Sequence, residues 1–245
     1  MIEIISGSSY SELNQSIEQF DTNSPFLNIN FFEALEKSNS VGENTGWISF
    51  PIIAKKNNEI IGFMPIFLKE HSYGEYVFDH AWADAFQQHG LNYYPKMISA
   101  IPFTPLTGSR VLAKDSEVKK AMIKAIEKIL VEYKISSCHI LFPNKKDHEL
   151  FNEMGWLSRK GVQFKWQNNS YEKFSEFLET LSHNKRKKIK QERKKIETNG
   201  ISIERKQGEN ISSEDIDFFY ECYCETYRLH NSTPYLKKYF FYELV

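Results

Sequence analysis

The segment 47–70, WISFPIIAKKNNEIIGFMPIFLKE, constrains the fold more than any other part of the chain. Two runs rich in β-branched and aromatic residues flank the polar turn Lys56–Asn58. Such runs on either side of a short polar turn predict an antiparallel β-hairpin. We therefore expect a sheet built around this hairpin.

A long amphipathic helix is predicted at 116–134. Its apolar residues recur with the i, i+3, i+4, i+7 spacing that places them on one face. They are Val118, Ala121, Met122, Ala125, Ile126, Ile129 and Leu130. We expect this face to pack on one side of the sheet.

The remaining elements alternate in type along the chain. Strands are predicted at 2–6, 97–105, 136–143, 156–167 and 201–206, and helices at 10–20, 30–38, 81–89, 146–154, 171–181 and 213–229. Gly90 is expected to end the helix at 81–89. This order favours an α/β or α+β sheet protein over a helix bundle or a β-sandwich.

Composition excludes several classes of protein. The net charge is -1, and the three cysteines form no CxxC pair or His cluster, which argues for a reducing compartment and against structural zinc. No metal site is therefore expected. The N-terminus lacks the basic and apolar regions of a signal peptide. No apolar run approaches the length of a membrane span, so a cytoplasmic location is predicted.

The stretch 71–90, HSYGEYVFDHAWADAFQQHG, mixes aromatic rings with carboxylates. A substrate channel needs aromatic walls and a few polar groups that orient the substrate. Attack by an amine on an acyl carbonyl also needs a base and an acid. The candidate bases are Glu75 and Asp79, the candidate acids are Tyr73 and Tyr76, and the candidate substrate contacts are His71, His80 and Trp82. The alternative is a polar network that holds a loop on the sheet.

The segment 102–110, PFTPLTGSR, combines rigid turns with hydroxyl groups and an arginine. Free N–H groups and a guanidinium suit an anion or a carbonyl. The candidate substrate contacts are Phe103, Thr104, Thr107 and Arg110. They are expected to converge with 71–82 on one pocket, and the alternative is a structural turn.

The segment 182–200 carries eight positive charges against two glutamates. Ser182 and Gly200 are suited to begin and end a helix. We predict an exposed helix that binds the phosphates of tRNA, an anionic lipid surface or an acidic partner. The candidate contacts are Lys185, Arg186, Lys187, Lys190, Arg193 and Lys194. The alternative is a solvated helix without a ligand.

Two distant segments resemble each other. SPFLNINFFEAL (24–35) aligns with TPYLKKYFFYEL (233–244) at six of twelve positions. The similarity indicates either a duplicated fold or coincidence in a Phe-rich chain. If it is a duplication, the second copy is incomplete. Phe240, Phe241 and Leu244 are then expected to pack on the first domain, to meet another chain in a homodimer, or to stay exposed.

The blocks 71–110, 182–196 and 233–241 resemble the FemAB-like predicted N-acyltransferases, a branch of the GNAT superfamily. The resemblance implies an α/β fold with a GNAT-like mixed sheet flanked by helices in residues 1–168. The basic helix and the start of a second GNAT-like half would then occupy 169–245. It also implies transfer of an acyl or aminoacyl group to an amine. No permanently bound cofactor is implied, and the acceptor would be a small molecule or a cell-wall precursor.

The donor is left open between acyl-CoA and aminoacyl-tRNA. The nearest match to the GNAT pyrophosphate loop is QQHGLN (87–92), which ends in Asn and is not followed by a predicted helix. Such loops bind phosphates through backbone N–H groups at a helix start. Two alternatives to a FemAB-like enzyme remain. They are an inactive binding module for a cell-wall precursor or RNA, and a plain acyl-CoA N-acetyltransferase.

Overall fold

A computed structural model describes residues 2–7, 9–13, 20 and 24–245. The chain divides into two compact units, one made of 1–157 with 212–245 and the other of 158–211. Strands and helices are mixed along the chain, so the predicted α/β class is confirmed. The C-terminal helices belong to the first unit, and the expected division at 168 into a GNAT-like domain and an incomplete second half stays a prediction.

The first unit contains the sheets. Its strands are β1 (Glu3–Ser6), β2 (Trp47–Ser49), β3 (Ile52–Lys56), β4 (Glu59–Met64), β5 (Ile66–Lys69), β6 (Lys96–Ser99), β7 (Leu112–Ala113) and β8 (Cys138–Ile140). Its helices are α1 (Ile29–Lys37), α2 (His80–Gln88), α3 (Ser116–Glu132), α4 (Lys145–Glu153), α7 (Ser213–Leu229) and α8 (Lys238–Glu243). The predicted strands at 97–105 and 136–143 are shorter than expected, because only β6 and β8 pair with neighbours.

These strands form two four-stranded sheets. The first sheet has the order β1-β3-β4-β7, and the second has the order β2-β5-β6-β8. All pairs are antiparallel except β6 with β8, which is parallel. The crossover between β6 and β8 contains α3, as a parallel connection requires.

The predicted hairpin is confirmed and crosses both sheets. Asn57 and Asn58 have φ angles of 51° and 69°, which suit the tight turn of a two-residue hairpin. Pro51 and Pro65 lie at the same level of the two arms and lack the N–H that a ladder needs. The arms are therefore divided there, with β3 and β4 in the first sheet and β2 and β5 in the second.

Helix α3 packs on the first sheet, as predicted, and touches β3, β4 and β7. Its buried residues include Met122 and Ile126. The contact is close at Gly62, where an added Cβ would lie 2.6 Å from the sulfur of Met122 and 3.2 Å from the Cβ of Ala54. Glycine on β4 thus allows helix and sheet to approach each other.

The apolar residues between α3 and the first sheet form one hydrophobic core, and a second core surrounds Tyr10 and α1. The Tyr10 ring stacks on Phe32 at a centroid distance of 4.5 Å, and its hydroxyl donates to the Ile66 carbonyl at 2.9 Å. Of the helix predicted at 10–20, the structure describes a 3₁₀ turn at Tyr10–Glu12. Residues 14–19 lie outside the described part.

Within the first unit, the C-terminal helix α8 packs on α1 and α7. Phe240 is 3% exposed and meets Phe31 edge-to-face at 5.8 Å. The backbone N–H of Lys237 donates to Ser40 Oγ at 2.9 Å. Phe240 therefore follows the first of the three expected alternatives, whereas Leu244 is exposed.

The repeat in the sequence has a counterpart in the structure. Helix α1 begins at Ile29 and α8 at Lys238, which are aligned positions of the two segments. Phe31 and Phe240 are also aligned, and they touch each other. The duplication itself stays a prediction.

The second unit contains α5 (Phe174–Glu179) and α6 (His183–Thr198). The strands predicted at 156–167 and 201–206 are wrong, because both segments are irregular. Their backbone groups have no neighbouring strand to pair with in the described chain. Their apolar side chains are accordingly solvent-accessible, with Phe164 96% exposed. Within the described residues, no helix has the length and apolar character needed to cross a bilayer.

Candidate functional site

A cavity of about 460 Å³ opens in the first unit beside β2. Four separate segments contribute to it, and we name it the aromatic cavity. It is lined by Asn39, Ser40, Asn44, Thr45, Trp47, His71, Tyr73, Phe103, Asn231, Ser232, Thr233, Pro234, Tyr235 and Lys237. Its size is within the usual range for small-molecule sites.

Aromatic rings form one continuous wall of this cavity. Phe103 stacks on Tyr235 with a centroid distance of 5.0 Å and an interplanar angle of 7°. Trp47 lies 5.2 Å from Phe103 on the other side. Phe103 has a φ of 58°, uncommon for a bulky residue, in a turn that the Thr104 N–H closes by donating to the Ile101 carbonyl at 3.2 Å.

The floor of the cavity is fixed by Trp47 and Lys69. The indole nitrogen of Trp47 donates to the Tyr73 carbonyl at 3.1 Å. The ammonium of Lys69 lies 4.0 Å from the Trp47 ring centroid and donates to the Gly46 carbonyl at 2.8 Å. Burial lowers the pKa of Lys69 to about 7, and the nearby charge of Lys96 acts in the same direction.

His71 is fixed against the backbone at Gly46. A Cβ on Gly46 would lie 2.0 Å from the Nε2 of His71, and Gly46 has a φ of 69°. The Nδ1 of His71 accepts a hydrogen bond from the Tyr73 backbone N–H at 3.3 Å. Burial and the charge of Lys69 lower the pKa of His71. The ring is therefore neutral at pH 7.

Glu75 and Asp79 lie in a buried network rather than in the aromatic cavity. Lys96 donates to Glu75 Oε2 at 2.8 Å and also to Asp79 Oδ2. The Tyr93 hydroxyl donates to the same Asp79 oxygen at 2.7 Å. The network holds the 71–79 segment on β6, as the structural alternative proposed.

The two carboxyl groups of the network differ in acidity. Burial raises the pKa of Glu75, and contact with Lys96 only partly offsets this rise. Burial also opposes ionisation of Asp79, but hydrogen bonds from Lys96, Ser72 and Tyr93 lower its pKa to about 2. Asp79 is thus the firmly ionised partner of Lys96.

The other candidates from 71–90 are dispersed. Tyr76 is exposed with a φ of 58°, and burial together with Tyr235 raises its pKa. His80 and Trp82 are exposed residues of α2 and do not line the aromatic cavity. The stretch therefore brings His71 and Tyr73 to the cavity but leaves these three residues outside its lining.

Arg110 does not reach the cavity, which corrects its assignment as a substrate contact. It is fully buried, and its guanidinium donates to the carbonyls of Leu106 at 2.6 Å, Ser109 at 2.9 Å and Leu141 at 2.9 Å. Burial lowers its pKa to about 10. The side chain braces the 106–110 turn instead of facing an anion.

The two threonines of that segment also lie outside the aromatic cavity. The Thr104 hydroxyl donates to the Pro102 carbonyl at 3.1 Å. Thr107 lines a second cavity of about 520 Å³, together with residues of β7, Lys114 and Lys119. The predicted convergence of the two blocks therefore holds for His71, Tyr73 and Phe103 and not for the threonines.

The QQHGLN segment (87–92) does not have the geometry of a phosphate loop. Helix α2 ends within it, and irregular chain and then a strand follow. A phosphate loop instead precedes a helix, whose first N–H groups bind the phosphates.

A family model described as FemAB-like, peptidoglycan biosynthesis/recognition, matches residues 2–245. The chain belongs to the FemAB-like family. No match to a curated protein is significant.

Solved structures resemble this FemAB-like protein over about two thirds of its length. The ribosomal-protein-alanine N-acetyltransferase from Brucella melitensis biovar Abortus 2308 is 8% identical, with 69% of this chain and 100% of that chain covered and a TM-score of 0.40. The aminoglycoside N-acetyltransferase AAC(6')-Iy in complex with CoA is 11% identical, with 68% and 95% covered and a TM-score of 0.41. Likeness at this level says nothing about the substrate of this chain.

Several residues of the site were not predicted from the sequence. Trp47, Tyr235 and Lys237 line the cavity, Lys69 lies against the Trp47 ring, and Lys96 pairs with Glu75 and Asp79. The sequence did contain a signal for the two lysines. Lys69 ends an apolar run and Lys96 begins one, and a charge buried there is costly unless it is paired. The segment 231–237 overlaps the family-like block 233–241, but its place in the cavity could not be predicted, since it depends on how the C-terminal helices pack.

Proposed function

We propose that this FemAB-like protein is an N-acyltransferase and that the aromatic cavity binds the amine acceptor. The supporting observation is that two distant family-like blocks meet there. His71, Tyr73 and Phe103 come from the block 71–110, and Tyr235 and Lys237 come from the block 233–241. The family description favours a cell-wall precursor as acceptor.

The reaction requires removal of a proton from the amine. The amine nitrogen attacks the acyl carbonyl carbon, a C–N bond forms, and the bond from that carbon to the leaving thiol or ribose oxygen breaks. We assign the proton to Nδ1 of His71, which lines the aromatic cavity and would exchange its 3.3 Å hydrogen bond from the Tyr73 N–H for the proton of the amine. Glu75 and Asp79 are less suited, since Lys96 already pairs with both.

Acyl-CoA and aminoacyl-tRNA are both retained as candidate donors, and both belong in the test.

The test is product formation by the purified protein. Aminoacyl-tRNA and acyl-CoA donors would be incubated with amino sugars, peptides with a free amine and polyamines, and acylated amines would be detected by mass spectrometry. Phe103→Ala should abolish most product, whereas Phe164→Ala, at an exposed position in the second unit, should leave it unchanged. No product with any donor, or full turnover by Phe103→Ala, would contradict the proposal.

A second candidate function, polyanion binding through α6, is supported by the exposure of that helix. None of its residues is buried. Arg193 lies 4.8 Å from the Phe174 ring centroid, which attaches one face of α6 to α5. Lys187, Lys190 and Lys194 follow the i, i+3, i+7 spacing of a single stripe on the helix.

Binding of tRNA and of anionic vesicles, measured against salt concentration, tests this candidate. Lys187→Glu with Lys194→Glu should weaken binding and reduce the salt slope by about one per removed phosphate contact. Lys124→Glu with Lys128→Glu on α3 changes the net charge equally and should have little effect. Equal losses in both double variants would indicate a net-charge effect without a site.

A further inference from the structure

The polar side chains of the aromatic cavity are mostly uncharged. Two thirds of its lining is not aromatic, and that part is rich in amides and hydroxyls. Those without a side-chain hydrogen bond in the described chain are Asn39, Asn44, Asn231, Ser232 and Thr233. Amides and hydroxyls both donate and accept hydrogen bonds, so they match a ligand rich in hydroxyl groups.

Next to these groups stand apolar ring faces. Trp47, Phe103 and Tyr235 form the wall, and Tyr73 is 67% exposed at the opening. A pyranose ring has the same division, with C–H groups on its faces and hydroxyls around its edge. Apolar walls with a few polar groups that fix orientation are also the usual composition of ligand sites.

The charge of the cavity is positive. Among the described lining residues there is no carboxylate, and Lys237 is exposed at the rim. The ammonium of Lys237 has no ion pair within the described part of the chain. A free ammonium beside unpaired amides favours a ligand that carries an acidic group.

We infer that the aromatic cavity recognises a pyranose ring that bears an acidic substituent, either a carboxylate or a phosphate. The ring lies against the aromatic wall, its hydroxyls meet the asparagines, and Lys237 pairs with the acid. The inference rests on the proposed function and names the part of the acceptor that the cavity reads. An extended peptide is the competing ligand.

Binding without any donor tests this recognition. Saturation-transfer NMR would give dissociation constants for N-acetylglucosamine, N-acetylglucosamine 6-phosphate and N-acetylmuramic acid. Glycerol 3-phosphate serves as an acid without the ring, and the peptide Ala-Glu-Lys as the competing ligand. We expect at least one acidic sugar to bind about tenfold more tightly than the neutral sugar, and the two acidic sugars separate phosphate from carboxylate.

Variants assign the binding to the cavity. Lys237→Met should reduce the affinity for the acidic sugars to that for the neutral sugar. Lys128→Met, on an exposed part of α3, should leave all these affinities unchanged. Asn231→Ala should weaken the binding of all three sugars. The Asn231 side chain is exposed, so its loss should not affect folding. Equal affinity for neutral and acidic sugars, binding of the peptide instead, or no effect of Lys237→Met would overturn the inference.

These results are separable from those on the proposed function. Sugar binding without acyl transfer would leave the recognition in place and remove the enzyme. Acyl transfer to a peptide amine that no sugar inhibits would leave the enzyme in place and remove the sugar recognition.

Discussion

Two fully buried lysines lie opposite each other on β5 and β6, in different surroundings. Lys96 touches two carboxylates. Lys69 touches the carbonyls of Gly46 and Tyr73 and the face of Trp47. Carbonyls and a ring compensate a buried charge less than a carboxylate does. The charge on Lys69 is therefore the one that folding disfavours, and it lies directly beneath the aromatic cavity.

We predict that Lys69 titrates near pH 7, because burial lowers its pKa to about 7. The unfolded chain then binds more protons than the native protein above this pH, so the free energy of unfolding rises as the pH increases from about 7 towards 10. A ¹³Cε titration measures the pKa directly. Lys69→Met should remove this rise in stability, and a midpoint near 10.5 would show that the charge is well solvated.

At the scale of single elements, the fold depends on close contact between α3 and the first sheet. Gly62 leaves room for Met122, and an added Cβ would also lie 3.0 Å from Val118. Overfilling a packed core costs about 1–3 kcal/mol. The helix and the hairpin were predictable because both have strong periodic patterns. The close contact between α3 and the hairpin at Gly62 was not predictable, since a hydrophobic pattern does not specify which residues of the helix and the sheet meet.

Gly62→Val should destabilise the protein by about 1–3 kcal/mol through this contact. Urea denaturation measures the change. Adding Met122→Ala to the variant removes the clashing sulfur and should recover part of the loss. If the single variant is as stable as the wild type, or the double variant loses the sum of both changes, α3 does not pack as described.

The sequence predicted other elements unevenly for physical reasons. Helix α6 was placed well because a run of charges marks it locally, although the Ser182 side chain makes no cap hydrogen bond, and α7 was placed correctly at 213–229. The segments 156–167 and 201–206 have the alternation of strands, but a strand also needs a neighbour. In the site, 71–90 was recognised from its composition. The pairing of Lys96 with Glu75 was not, because it depends on the register of β5 and β6.

At the scale of the whole molecule, the segment between the two C-terminal helices completes the cavity wall. Phe240 anchors α8 on α1, and the preceding residues 231–237 line the cavity. Packing of α8 and the shape of the site are thus linked. Homodimer formation through the exposed end at Leu244 remains a prediction.

Phe240→Ala should lower the free energy of unfolding by about 3–5 kcal/mol, the usual cost of removing a buried phenylalanine. Phe218→Ala on α7, where the ring is 69% exposed, should change it by less than about 0.5 kcal/mol. Chemical denaturation compares the two. Equal stability of both variants would mean that α8 is not held by this contact.

The most direct test of the account is kcat/KM for acyl transfer by Tyr235→Ala. Tyr235 comes from the C-terminal segment and stacks on Phe103 from the 71–110 block, so it reports on the cavity itself. Loss of this wall should reduce kcat/KM by about tenfold or more, equivalent to about 1.4 kcal/mol, while Tyr239→Ala, an exposed tyrosine of α8, keeps the wild-type value. An unchanged kcat/KM for Tyr235→Ala would show that the chemistry takes place elsewhere.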